Sequence, residues 1–268
     1  MSSIRLKPSK KCIFCGNGKL TREHIWPDWA AQELPDWPKA VQAKYVVQGK
    51  YERQMGAPVL RKRQGGVKNI RIRVVCGPCN NGWMSRLEEG LKPLLLKLIR
   101  GEPTELSVED LVDLTRWATL KAMVAEQDSH SEPVYQTQER LAFFEHRTVP
   151  EGTRVWLFDC GVGVWASHYV RRAAALASAR VEGFKPNVKN THTIALGIGR
   201  LLIFLLYTHR DEAKFSFTMS PRRSRIAWPA ESGASWPPER RLTIGEADDI
   251  AASMAVMLRD PRVIYVPG

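Results

Sequence analysis

The sequence predicts an α+β protein in two parts, and three observations lead there. Two Cys-x-x-Cys pairs, Cys12/Cys15 and Cys76/Cys79, offer four thiolates to one tetrahedral zinc, so the first part reads as a zinc-stapled unit. Apolar residues then recur at helical spacing from Ser107 to about Gln127, again over Gln138–His146, and over Glu246–Leu258. Between these helices lie β-rich runs, Thr153–Asp159, Val164–Val170, Thr193–Leu206 and Phe215–Met219, with Val263–Val266 as a last short strand. The composition changes near Glu102, which places residues 1–100 in one domain and 101–268 in an α+β domain of unknown type.

The elements follow in order. Residues 1–11 form a basic tail without periodicity. Cys12-Ile-Phe-Cys15-Gly-Asn-Gly18 reads as a tight knuckle, its Gly and Asn residues supplying the turn. Leu20–Ile25 is extended, and Ile25–Leu34 forms a short helix stopped by Pro35 and Pro38. Val41–Val47 alternates as a strand. Arg61-Lys62-Arg63 and Gly65-Gly66 mark a basic turn. Ile70-Arg-Ile-Arg-Val74 then alternates apolar and basic residues, placing Arg71 and Arg73 on one face of a strand that runs into Cys76. A helix beginning near Cys79 or Asn80 carries Trp83, Met84 and Leu87 inward, and Gly90 and Pro93 are expected to interrupt it before Leu94–Ile99. Ser107-Val-Glu-Asp110 has the form of a capping box.

At 268 residues, 44% apolar and 25% charged, the chain has the composition of a globular protein, but its net charge of +12 is unusual. Residues 1–100 hold 20 Lys+Arg against 7 Asp+Glu, and residues 101–268 hold 20 against 21, so the whole excess lies with the paired cysteines. That asymmetry points to a polyanionic partner, since neutralised phosphates release counterions; a basic surface without a ligand is the plainer reading. Arg22, Arg61, Lys62, Arg63, Arg71 and Arg73 are the candidate phosphate contacts, positioning a backbone without reading its sequence. Trp26, Trp29 and Trp37 read as packing around the zinc unit or as platforms for stacked bases.

Five cysteines, four of them paired in sequence, favour a metal in a reducing compartment over a disulfide framework, and Cys160 reads as a buried strand thiol. A redox Cys-x-x-Cys is the competing reading. Between Cys15 and Cys76 lie 60 residues, against roughly 15–20 in compact four-cysteine modules, so the middle must loop out as an insertion. The polar, basic N-terminus shows no signal peptide, and the apolar run Ile194–Tyr207, broken by Gly197, Gly199 and Arg200, is too short to span a bilayer. The expectation is a cytoplasmic protein with no membrane partner.

The ordered set Cys12/Cys15, then Glu23-His24-Ile25-Trp26-Pro27, then Cys76/Cys79-Asn80 resembles the HNH endonuclease superfamily over about residues 10–90. The resemblance implies a ββα-metal unit braced by a treble-clef zinc, with a long insertion, and a hydrolase that cuts DNA phosphodiester bonds. His24 would be the general base, a task suited to its near-neutral pKa. Glu23 and Asn80 would be oxygen ligands of a catalytic divalent ion, Mg²⁺ or Mn²⁺, beside the structural Zn²⁺. The position four past Asn80, where many members carry a third ligand, is Met84, and Asn69 is the candidate for the middle Asn of the motif. The implied partner is nucleic acid, double-stranded DNA in the first place, with a homodimer or a phage or bacterial defence partner as further possibilities. The alternative is a zinc-stabilised nucleic-acid-binding module that does not cut. A non-catalytic scaffold in such a defence assembly is a third reading. A binding module has no need of a general base beside an acid, and on that ground the nuclease is preferred.

Overall fold

The computed structural model describes residues 10–30, 70–128, 133–161, 190–209, 222 and 224–251, and the backbone of the strands at 42–46, 60–66, 167–178 and 263–266. The chain is a mixture of helix and sheet, as its periodicities predict. In the first part, β1 (Leu20–His24) pairs antiparallel with β4 (Arg71–Cys76), and β2 (Gln42–Val46) pairs with β3 (Leu60–Gly66). The basic triplet Arg61-Lys62-Arg63 therefore lies in a strand and not in a turn; its side chains are outside the described residues. So are Asn69, Trp37, residues 31–34 of the helix expected at Ile25–Leu34, the strand expected at Phe215–Met219, and the end of the last helix. Residues 25–29 of that expected helix form a bend and a turn across Pro27, and helix begins only at Ala30.

From Cys76 the chain enters α1 (Gly77–Cys79), a π-helical turn (Asn80–Met84) and α2 (Ser85–Arg100) without leaving helical winding for long; only Gly82 departs from it. The wider turn brings both Trp83 and Met84 inside. Contrary to the sequence expectation, Gly90 and Pro93 do not interrupt α2, which runs its full 16 residues with Pro93 inside it. A helix-interior Pro costs about 3 kcal/mol. Burial of Leu91, Leu95, Leu98 and Ile99 outweighs it, at roughly 1.5–3 kcal/mol for each full side chain. Gly101 closes the helix in the left-handed conformation (φ +71°), its N–H donating to the carbonyls of Leu98 and Lys97.

After β5 (Thr104–Leu106) comes α3 (Val108–Ala125), started by the expected capping box: Ser107 Oγ accepts from Asp110 N, and the Asp110 carboxylate accepts from Ser107 N. Twelve of its residues are buried, so α3 is a central helix rather than a surface one. It packs on the first part through β4, and on the large sheet through β9 (Leu201–Thr208) and β10 (Arg225–Trp228). A 3₁₀ turn (Glu126–Asp128) and α4 (Thr137–His146) follow.

The large sheet has the order β10-β6-β9-β8-β7-β12, all neighbours antiparallel, with β6 at Thr153–Asp159, β7 at Ser167–Ser178, β8 at Thr191–Ile198 and β12 at Val263–Val266. Alternate residues of its strands face opposite ways. Val155, Leu157, Ile194, Leu196, Ile203 and Leu205 join the core that contains α3. Trp156, Phe158, Ala195, Leu202, Phe204 and Leu206 form a second core with Ala247 and Ala251 of α5 (Ile244–Ala251). Burial on both faces explains why Ile194–Tyr207 is almost continuously apolar: it is a hairpin of two interior strands. No helix among the described residues is long and apolar enough to cross a membrane. Three further short strands, β5, β10 and β11 (Ala234–Trp236), were not legible in the sequence; β11 pairs with β5. The break expected at residue 100 falls next to the Gly101 cap, and one apolar core runs from Cys12 to Trp236 across it.

The α2 end and the β8–β9 turn are fastened together. Arg200 N donates to Ile99 O at 2.8 Å, and Arg200 also pairs with the buried Asp159. Gly199 sits at φ +55°, and a Cβ there would lie 2.7 Å from Ile99 O, a backbone atom that cannot swing away. Gly199→Ala is therefore expected to destabilise the fold by at least about 1 kcal/mol, read as a lower midpoint in urea unfolding with an unchanged slope.

Candidate functional site

The four cysteines come together. Their sulfurs all lie within 4.8 Å of one another, Cys15 and Cys76 at 3.4 Å, and none is in a disulfide. Four sulfurs around zinc at about 2.3 Å stand about 3.8 Å apart, so the cluster is the right size for a closed four-thiolate site. Local structure builds it from both sides. Gly16 takes φ +73° while Gly16 N donates to Cys12 O and Cys12 N to Asn17 O, closing the knuckle. Ile13 N donates to Val74 O and fastens the knuckle to β4. Burial pushes the thiols of Cys76 and Cys79 up. Burial also opposes ionisation of Cys15, but the Asn17 backbone and the neighbouring thiols bring it below its ordinary value. A bound zinc would hold all four as thiolates. Around the cluster Phe14, Trp83 and Phe143 pack ring against ring, and the Arg147 guanidinium lies 4.0 Å over Trp83.

The β1–β4 ribbon separates the other expected residues onto two faces. Cross-strand register sets His24 opposite Arg71 and Arg22 opposite Arg73. Arg22, Arg71 and Arg73 are exposed and His24 is half-buried, so these four share the outward face. Next to them is a residue that sequence reasoning missed: Asp28, whose Oδ1 lies 3.0 Å from His24 Nε2 and 3.8 Å from Arg71. The Nε2–Asp28 approach is close but off the line of a good hydrogen bond. Burial lowers the His24 pKa below its ordinary value, with Arg71 and Lys121 acting the same way and Asp28 and Glu23 opposing them. His24 is accordingly neutral at physiological pH. The signal for Asp28 was an acid one helical turn past a histidine, across the Pro27 bend.

Glu23 points the other way. It is 7% exposed, and its Oε1 accepts from Lys121 Nζ at 2.8 Å. Lys121, from α3, is fully buried and also pairs with Glu88 of α2 at 2.9 Å and donates to His24 O at 3.0 Å. Burial opposes its charge, but the two carboxylates more than reverse this and its pKa is raised. Asn80 braces the ribbon: its Nδ2 donates to Thr21 Oγ1 at 3.1 Å and more weakly to Arg22 O at 3.4 Å, while Thr21 Oγ1 donates to Val75 O. The expected ligand pair for a catalytic Mg²⁺ or Mn²⁺ is thus not assembled. One member is closed by an ammonium ion, and the other holds a strand through its amide. Met84 is buried in the core, as its thioether prefers.

Of the remaining candidates, Trp26 is core packing at 1% exposure, and Trp29 lies under Lys92. Cys160 is buried, and its backbone forms an isolated parallel bridge with Leu242. His192 is buried in β8. No protein-family model, no curated protein and no solved structure matches this chain.

The cysteine cluster yields a direct test. If the four cysteines hold a zinc, Cys76→Ser is expected to lose it and to unfold the N-terminal part, while Cys160→Ser keeps the metal. Elemental analysis and circular dichroism of the two variants check this.

Proposed function

We propose that the chain is a nucleic-acid phosphodiesterase of the HNH type, acting in the first place on double-stranded DNA. The carrying observation is the outward face of β1–β4, where a neutral His24 stands beside Asp28, opposite Arg71, and flanked by Arg22 and Arg73. On this reading β1, β4 and the α1–α2 helical run form the ββα unit, and the four cysteines form its treble-clef zinc. A small turn of the Asp28 carboxylate, 3.0 Å from Nε2, would bring it into line to accept from Nε2–H and leave Nδ1 as the basic nitrogen. Nδ1 takes the proton of a water as its oxygen attacks phosphorus; the phosphorus–oxygen bond on the far side breaks and the leaving oxygen takes a proton from solvent. Arg71, with Arg22 and Arg73, holds the phosphate and meets the charge that grows on it. The divalent ion belongs to the family resemblance, and the placements of Glu23 and Asn80 do not support it there.

A second reading is favoured by one observation. With Glu23 engaged by Lys121, the same face and the same zinc suit a binding module that holds nucleic acid without cutting it.

Purified protein is expected to nick supercoiled plasmid. His24→Ala should lower the rate by roughly 10²–10⁴-fold at unchanged zinc content. DNA binding by wild type without cleavage, with or without Mg²⁺ or Mn²⁺, rejects the nuclease and leaves the binding module. The pH profile supplies a separate check. His24 works as the neutral base, so the rate falls as pH drops through its pKa. Because that pKa lies below the ordinary 6.5, the acid limb is expected below 6.5 and the rate should be flat from there to pH 8.

A further inference from the structure

Beneath His24 lies an arrangement that neither the nuclease nor the binding module uses. Three hard oxygen donors from two elements converge on one point: a Glu23 carboxylate oxygen and the His24 carbonyl from β1, and a Glu88 carboxylate oxygen from α2. Such a set, two carboxylates and a carbonyl, is the donor chemistry of a site for a hard cation. The point is occupied by Lys121 Nζ, at 2.8, 3.0 and 2.9 Å from the three oxygens in that order. An ammonium has three N–H donors and no acceptor, so all three are matched. The distances are those of charge-assisted hydrogen bonds and not the 2.0–2.1 Å of a bound Mg²⁺. The Lys121 side chain is 1% exposed and its stem comes from α3, beside the Trp117 ring. Trp117 Nε1 also reaches Glu88 Oε2 at 3.4 Å and steadies that carboxylate.

We propose that Lys121 is a built-in cation that fills the Glu23–Glu88 oxygen site in place of an exchangeable divalent ion. The inference stands whether or not the chain cuts nucleic acid. It says that the expected metal ligand Glu23 is held permanently by the protein itself, and that a lysine from residue 121 completes a site begun by residues 23 and 88. Two carboxylates and one ammonium leave a net charge of −1. Removal of the ammonium leaves two carboxylates facing one point, an arrangement that a divalent ion neutralises.

The test is Mn²⁺ binding by zinc-loaded full-length protein, followed by electron paramagnetic resonance. Wild type and Glu23→Gln are expected to bind Mn²⁺ equally, since Glu23 is not available in either. Lys121→Ala should gain one Mn²⁺ per chain. Lys121→Ala combined with Glu23→Gln should weaken that site by roughly ten- to a hundredfold. Lys121→Ala should also melt at a higher temperature with Mn²⁺ than without it, whereas wild type should not shift. Mn²⁺ binding to wild type that Glu23→Gln abolishes overturns the proposal. So does a folded Lys121→Ala that gains no Mn²⁺. If Lys121→Ala folds only when Mn²⁺ is present, the ion has replaced the ammonium and the proposal holds; if it fails to fold even then, the comparison of wild type with Glu23→Gln decides. Plasmid cleavage is not among these readouts, so failure of the nuclease reading and failure of this one are told apart.

Discussion

A single buried ammonium ties the two parts of this chain together. An isolated charge in an apolar interior costs many kcal/mol, and in practice a lysine so placed either loses its proton or finds partners. Lys121 finds three, two from β1 and one from α2. The result is that α3, itself seated on β9 and β10, holds the strand carrying His24 from below. Replacing one partner would leave a charge uncompensated, which is much costlier than never having built the pair. The six-stranded sheet, with apolar cores on both faces, is the rigid base to which this clamp is anchored.

The ribbon needs that support. A two-stranded sheet is marginal in water by itself, and β1–β4 gives its outward face to charged residues, so only one face contributes apolar burial. Ile72 and Val74 face inward, and the ends are fixed by other means. The cysteine cluster joins the knuckle to the end of β4, and Asn80 stitches the helix start to Thr21. Arg73 Nε donates to Leu20 O across the ribbon. Arg73 thus shares in bracing the ribbon, while the His24 ring, Arg22 and Arg71 face outward beside these devices.

Legibility followed locality. The cysteine pairs, the alternation of Ile70–Val74 and the Ser107–Asp110 box are patterns within a few residues, and each is found where its spacing placed it. Long-range facts were not readable. Period-two alternation implies that Glu23 and His24 face opposite ways, yet the motif encouraged treating them as one pair. Lys121 left a faint mark, as a lone charge on a helix face otherwise made of Trp117, Ala118, Val124 and Ala125, and a charge there must be paired. Which acids pair with it is a tertiary fact, 98 residues away in the case of Glu23. Pro93 was misleading for the opposite reason: a strong local signal yielded to four buried side chains that the local pattern does not weigh.

The arginines on the outward face make a final physical argument for an anionic partner. Arg22 stands directly opposite Arg73 in the register, and like charges placed so repel. Near them Asp28 is shared between His24 and Arg71, so it offsets only part of the positive charge. A surface selected for stability alone would alternate signs across the ribbon, as cross-strand pairs of opposite charge favour the fold. Here the repulsion is retained beside a neutral histidine, in the half of the chain that carries all of its excess charge. A phosphate chain laid along the ribbon would relieve that repulsion and release its own counterions in doing so. Burial in the first place, with smaller help from Arg71 and Lys121, lowers the His24 pKa against the pull of Asp28 and Glu23, so the histidine beside these arginines is held towards its basic form.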